Sequence, residues 1–139
     1  MLKLITKLKP YSPYILVALV VLILSVSSTP DIPTLKIHAG KKTLRLDYLI
    51  HFCEYGALSV IAFLTFSGRQ FSAGLIRFSA VTSGLILFAV ADEFHQKIIP
   101  GRTFSPYDVT SNLLGVFAAL LFCIFIFRII RSQISNGRV

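Results

Sequence analysis

The sequence predicts an all-α integral membrane protein, with four transmembrane helices packed as a small bundle in a single domain over residues 1–139. Three observations predict it. Of 139 residues, 55% are apolar and only 14% are charged, against about 25% charged in a soluble domain. The mean hydropathy is +0.76. The apolar residues also fall into four runs separated by short polar stretches. So few charges cannot cover a water-facing surface, and the low charge equally excludes a disordered tail protein.

The first run lies between Lys9 and Asp31, with 21 uncharged residues, long enough to span. It predicts a helix over about 11–28. The stretch also has signal-peptide character, because Lys3, Lys7 and Lys9 precede the apolar core and Val26-Ser27-Ser28 supplies small residues near its end. Thr29 to Leu46 holds Pro30, Pro33, Gly40 and several charges and reads as a surface loop. Tyr55–Gly68 and Phe78–Ala91 give 14 charge-free residues each, about 21 Å of helix against a hydrocarbon core of about 30 Å. They span only if their polar ends are drawn in, which predicts helices over about 47–68 and 71–93, with Arg77 snorkelling to an interface. A re-entrant pair is the alternative. The last run, Val109–Phe127, has 19 uncharged residues and predicts a helix over about 106–130, followed by a short polar tail.

The net charge is +8. The basic residues sit singly or in pairs at the ends of apolar runs and no nucleic-acid motif accompanies them, so membrane head groups are the expected partner, not nucleic acid. With the N-terminus inside, inner segments hold eight Lys and Arg and outer segments six, which places both termini in the cytoplasm. Cys53 and Cys123 form no close-spaced metal pair. Their expected depths differ by about 13 Å, too far for a disulfide, which needs Cα atoms within about 7 Å. Both are expected to be buried free thiols.

Five of the six acidic residues are Asp47, Glu54, Asp92, Glu93 and Asp108. Antiparallel alternation puts the start of the second helix, the end of the third and the start of the fourth on one side of the membrane, the outer side in this orientation. Asp47, His51 and Glu54 or Tyr55 follow helical spacing, as do Asp92 with Gln96, and Asp108 with Asn112 and Gly115. Three polar stripes can therefore converge in one outward-opening cleft. Each residue also has a plain structural reading. Asp47 can be interfacial. Asp108 can belong to a capping box with Ser105 as N-cap and Pro106 at N1. Asn112 can bond a neighbouring helix, and His51 can be a packed core histidine. Glu54 lies about 10 Å down its helix, too deep for a decorative carboxylate. Arg102, after the Pro100-Gly101 turn and close to a helix N-terminus, suits a phosphate or carboxylate; pairing with the nearby acids is its structural alternative.

These segments resemble a known family. His51-Phe52-Cys53-Glu54-Tyr55 is similar to the H-F-x-x-Y element of VanZ-like proteins. Glu93-Phe94-His95-Gln96, Pro100-Gly101-Arg102-Thr103 and Asp108 through Gly115 are similar to that family's E-x-x-Q, P-G-R and D-x-x-x-N-x-x-G elements. The resemblance covers roughly Asp47 to Gly115. It implies a small multi-helix protein of the bacterial inner membrane, and the family's namesake is associated with low-level resistance to teicoplanin. The family often has Lys after the Asp that opens this helix. Tyr48 stands there in this chain, so no role of that lysine carries over.

Three functions compete. The first is binding: an outer-face cluster of Asp47, His51, Glu54, Tyr55, Asp92, Glu93, Gln96, Arg102, Asp108 and Asn112 holds an anionic lipid head group or a lipid-linked envelope intermediate, with glycopeptide susceptibility as a phenotype to test. The second is an enzyme acting on a lipid head group, through a metal held by His and carboxylates or through metal-free acid–base chemistry. No specific zinc signature such as H-E-x-x-H is present, and the sequence requires no cofactor. The third is a structural partner of other membrane proteins, or a homo-oligomer, using small-residue faces at Gly56-Ala57, Gly84 and Gly115-Ala118-Ala119.

Overall fold

The computed structural model describes residues 2–30, 36–39, 42–67 and 75–136. Helix α1 (Leu2–Leu8) runs through a 3-10 turn at Lys9–Tyr11 into α2 (Ser12–Ser27). Pro10 and Pro13 explain the join: each lacks an N–H, and both sit in first turns where that donor has no helical partner anyway. Strands β1 (Lys36–Ala39) and β2 (Lys42–Arg45) pair antiparallel, with Lys36 opposite Arg45. Part of the expected surface loop is therefore a short hairpin. The β-branched Ile37 and Thr43 favour extended backbone, a signal too short to separate from a loop.

Helix α3 is Asp47–Phe66, α4 is Leu75–Gln96 and α5 is Pro106–Ser135. The expected start of the third span at residue 71 lies outside the described residues. Its end moves from 93 to 96, because Gln96 and Asp92 meet one turn apart and extend the helix. Helix α5 runs five residues past its expected end, since Arg128 and Arg131 sit on exposed positions and do not break the pattern.

Among the described residues, three helices are long and apolar enough to cross a membrane: Lys3–Ser27, Asp47–Phe66 and Pro106–Ser135. Helix α4 has the length, about 33 Å for its 22 residues, but carries Arg77 near one end and Asp92 and Glu93 near the other.

The helices pack along narrow stripes. On α5 the buried residues are Asp108, Asn112, Gly115, Val116, Ala119, Cys123, Phe127 and Ile130, spaced by three and four apart from the adjacent pair Gly115-Val116, which keeps one face inward. Its other face exposes Leu121, Phe122 and Phe125, as a lipid-solvated helix should. The α3–α5 crossing is close because Gly115 has no side chain. A Cβ there would overlap the Phe52 carbonyl oxygen and approach the Gly56 nitrogen to 3.0 Å. Gly84 differs: a Cβ there would meet nothing within 4 Å, so it is not a contact point within this chain. Towards the other end, Phe78 of α4 stands 5.4 Å from Phe63 of α3 and 6.2 Å from Phe127 of α5 between ring centroids. Cys123 is buried as expected, but Cys53 is exposed. It lies two residues before the fully buried Tyr55, about 200° round the helix from it, and faces outward, so only one of the two thiols is shielded.

Two polar contacts fix which helix ends lie together. Lys9 Nζ donates to the Ser67 carbonyl at 2.6 Å, to Ser67 Oγ at 2.6 Å and to the Leu64 carbonyl at 3.5 Å. It thereby meets carbonyls that the end of α3 leaves without helical donors. At the opposite end, Gln96 Nε2 donates to Ser27 Oγ at 3.5 Å. The C-termini of α2 and α4 therefore lie beside the N-termini of α3 and α5, and this shared end carries the polar stripes.

Candidate functional site

The cluster is built from three helices and one connection. Tyr55 on α3 is fully buried, and its hydroxyl donates to Asp92 Oδ2 of α4 at 3.0 Å. Gln96, one turn on from Asp92, donates to the same oxygen at 3.4 Å. Arg102 donates to Gln96 Oε1. A continuous relay thus runs Tyr55–Asp92–Gln96–Arg102, with Asp92 only 2% exposed. Arg102 is held at the end of α4 by the Gln96 amide, whereas its structural alternative in the sequence is pairing with the nearby acids.

The second half of the cluster centres on the start of α5. Ser105 caps the helix as its sequence predicts, its Oγ accepting from the Asp108 N–H at 3.3 Å. In a capping box the side chain at Asp108 would return to the Ser105 N–H. Here Glu93 of α4 takes that donor instead, at 2.7 Å. The substitution ties the 97–105 connection to α4 and leaves the Asp108 carboxylate for His51, whose Nε2 lies 3.9 Å from Asp108 Oδ2. Asn112, one turn after Asp108 on the same face, is fully buried. Glu54 is half-buried on α3, within electrostatic reach of His51, Asp92 and Arg102. Glu93 stands in the same relation to Asp108, His51 and Asp92. Asp47 occupies the first turn of α3, half-buried, one helical turn before His51.

Many of these groups have unmet hydrogen-bonding capacity. His51 Nδ1, Asp92 Oδ1, Glu93 Oε2, His95 Nδ1, Asp108 Oδ1 and both amide atoms of Asn112 are buried without a partner. A buried polar atom in that condition costs about 1–3 kcal/mol, so each of these atoms calls for water or a further partner. The expected bond from Asn112 to a neighbouring helix is not formed. Among the described residues, no three His, Cys, Asp or Glu side chains are grouped to hold one metal ion.

Around the cluster the surface is apolar. Phe94 and Phe104 are partly exposed and stack at 5.2 Å, Tyr48 and Tyr107 lie at 6.0 Å, and Ile98 is 79% exposed. Sequence reasoning did not single out Ser27, Ser105 or His95 as site residues. Ser105 was legible as a cap. Ser27 and His95 had no spacing signal that reached across to another helix.

The VanZ/LLP1 family profile matches residues 13–128. The chain belongs to the VanZ/LLP1 family. The match extends well beyond the motifs between Asp47 and Gly115 and takes in α2 and most of α5. No curated protein and no solved structure matches the chain. Within this VanZ-family chain, the H-F-x-x-Y element supplies His51 and Tyr55, the E-x-x-Q element supplies Glu93 and Gln96, and the D-x-x-x-N-x-x-G element supplies Asp108, Asn112 and the close-packing Gly115.

Proposed function

We propose that this VanZ-family protein is a four-span protein of the bacterial inner membrane whose outer-face polar cluster binds a lipid head group or a lipid-linked component of the cell envelope. Helix α4 supplies the remaining span: it is about 33 Å long and packs against α2, α3 and α5. The eight-to-six excess of Lys and Arg puts both termini in the cytoplasm. The polar cluster then opens towards the outer leaflet.

One observation carries the binding reading. Asn112 is fully buried with both amide atoms unpaired, beside three further buried carboxylate oxygens without partners. A purely structural network would satisfy such groups within the protein. The aromatic rim at Phe94, Phe104 and Tyr107 is where interfacial rings anchor a membrane protein, which puts a head group within reach of Arg102.

Native mass spectrometry tests this on protein released from nanodiscs of total bacterial lipid extract, beside Asn112→Leu. A lipid or lipid-linked species retained by the wild type and lost by the variant is the expected result. Equal retention, or none in either, overturns the reading. The envelope role further predicts that cells carrying the wild-type chain and the Asn112→Leu chain differ in teicoplanin susceptibility. A second reading, a metal-free acid–base enzyme acting on a head group, is favoured by the 3.9 Å approach of His51 to Asp108. Head-group cleavage products in the same spectra decide for it.

A further inference from the structure

The unmet groups are unequal in kind. Asp92 Oδ1, Glu93 Oε2, Asp108 Oδ1 and Asn112 Oδ1 are acceptors, Asn112 Nδ2 is a donor, and His51 Nδ1 and His95 Nδ1 are either, by tautomer. The charges are unequal too. Glu54 lies within electrostatic reach of Asp92, His51 and Arg102, and Glu93 within reach of Asp92, Asp108 and His51, so four carboxyls face one guanidinium and one imidazole. That guanidinium has five N–H donors, of which a terminal nitrogen is engaged by Gln96 at the edge of the cluster. A simple anion entering this site would meet Arg102 but face four carboxyls behind it. A neutral sugar would leave the charge unanswered. The arrangement is acidic and acceptor-rich inside, with one fixed cation at its rim.

We propose that the site takes a zwitterionic phosphoamine head group, its primary ammonium directed to the Asp92, Glu93 and Asp108 carboxylates and its phosphate to Arg102. This rests on the head-group reading above and replaces the plain anion expected from Arg102 alone. An ammonium offers three donors to oxygens that lack them, and charge-assisted bonds of this kind are about twice as strong as neutral ones. Asn112, buried one turn after Asp108, orients the group by accepting a further N–H. Among the described residues no three of these acids close on one point, so the ammonium bonds at most two of the carboxylates at a time and turns its remaining N–H to Asn112.

The test uses the full chain in nanodiscs holding phosphatidylcholine with an equal share of phosphatidylethanolamine or phosphatidylglycerol, released in EDTA for native mass spectrometry. Phosphatidylethanolamine is expected to be retained about tenfold over both other lipids, a ratio worth about 1.4 kcal/mol. Glu93→Gln, with its helicity checked by circular dichroism, is expected to abolish that preference; Asp92→Asn serves if Glu93→Gln does not fold. Free phosphoethanolamine in detergent tests the other source of the same chemistry, and its binding without lipid retention supports the proposal with a soluble ligand. Retention of phosphatidylglycerol at or above phosphatidylethanolamine overturns the ammonium while leaving the head-group reading intact. Equal retention of phosphatidylcholine, whose ammonium has no N–H, overturns the donor requirement and with it the proposal. Retention of nothing, from these lipids or from the total extract, together with no binding of free phosphoethanolamine, overturns both.

Discussion

Replacing Gly115 by alanine tests the helix contact on which the cluster depends. The added Cβ would lie 3.2 Å from the Phe52 carbonyl carbon and 3.0 Å from the Gly56 nitrogen, and closer still to the Phe52 carbonyl oxygen. Carbon atoms in good contact stand about 3.5–4.0 Å apart. All three obstacles are backbone atoms, so no side chain can rotate away. The α3–α5 crossing has to open by roughly half an ångström or more. Overpacking of this kind costs about 1–3 kcal/mol, while alanine returns up to about 1 kcal/mol in helix propensity. The steric term wins. Gly84→Ala isolates the second term, because nothing lies within 4 Å of its Cβ position. The two variants should therefore differ by about 1–3 kcal/mol, with Gly84→Ala at or above wild-type stability. Equilibrium unfolding in mixed detergent micelles, followed by far-ultraviolet circular dichroism, measures the difference. A Gly115→Ala protein as stable as Gly84→Ala refutes the close crossing. The same opening would part His51 from Asp108, which sit on the two helices concerned at 3.9 Å.

Two further outcomes follow from the polar contacts. Lys9→Met removes the ammonium that meets the Ser67 and Leu64 carbonyls at the end of α3, and it should cost about 1–3 kcal/mol in the same unfolding assay, as a charged hydrogen bond does; an unchanged protein refutes the clamp. Ser105→Ala removes the cap of α5 and should cost about 1 kcal/mol, while hydrogen exchange at the Ser105 amide stays slow, because Glu93 and not the hydroxyl accepts from it; fast exchange there refutes that bond.

The legible part of this molecule is the part governed by local spacing. Asp92 with Gln96, the Ser105 cap and the inward stripe of Asp108, Asn112 and Gly115 all follow from helical periodicity, and each is present. Antiparallel alternation alone gathered the acidic helix ends. What the sequence withheld is which group answers which across helices. Nothing in the spacing of a capping box says that a glutamate twelve residues earlier takes the Ser105 N–H. Nor does it say that Arg102 meets an amide before an acid. Lys9 read as a topology signal, and its contact with Ser67, 58 residues away, lies beyond any local pattern. Gly84 and Gly115 are the same residue in similar apolar runs, yet only one is a point of contact; the difference lies in the crossing position of a second helix. The two middle runs are equally short in the sequence, and α4 carries Arg77 near one end and Asp92 and Glu93 near the other.

The relay Tyr55–Asp92–Gln96–Arg102 and the Glu93–Ser105 bond have a consequence for biogenesis. Their partners are spread over α3, α4 and the entry to α5, and His51 waits for Asp108 in the last helix. A nascent chain emerging from N- to C-terminus can join α2 to α3 early through Lys9 and can offer Tyr55 to Asp92, but it carries Glu93 in before the Ser105 N–H exists. Glu93 finds its backbone donor, and His51 its carboxylate, only with the entry to α5, so the acidic end of α4 is the last part of the bundle to be completed.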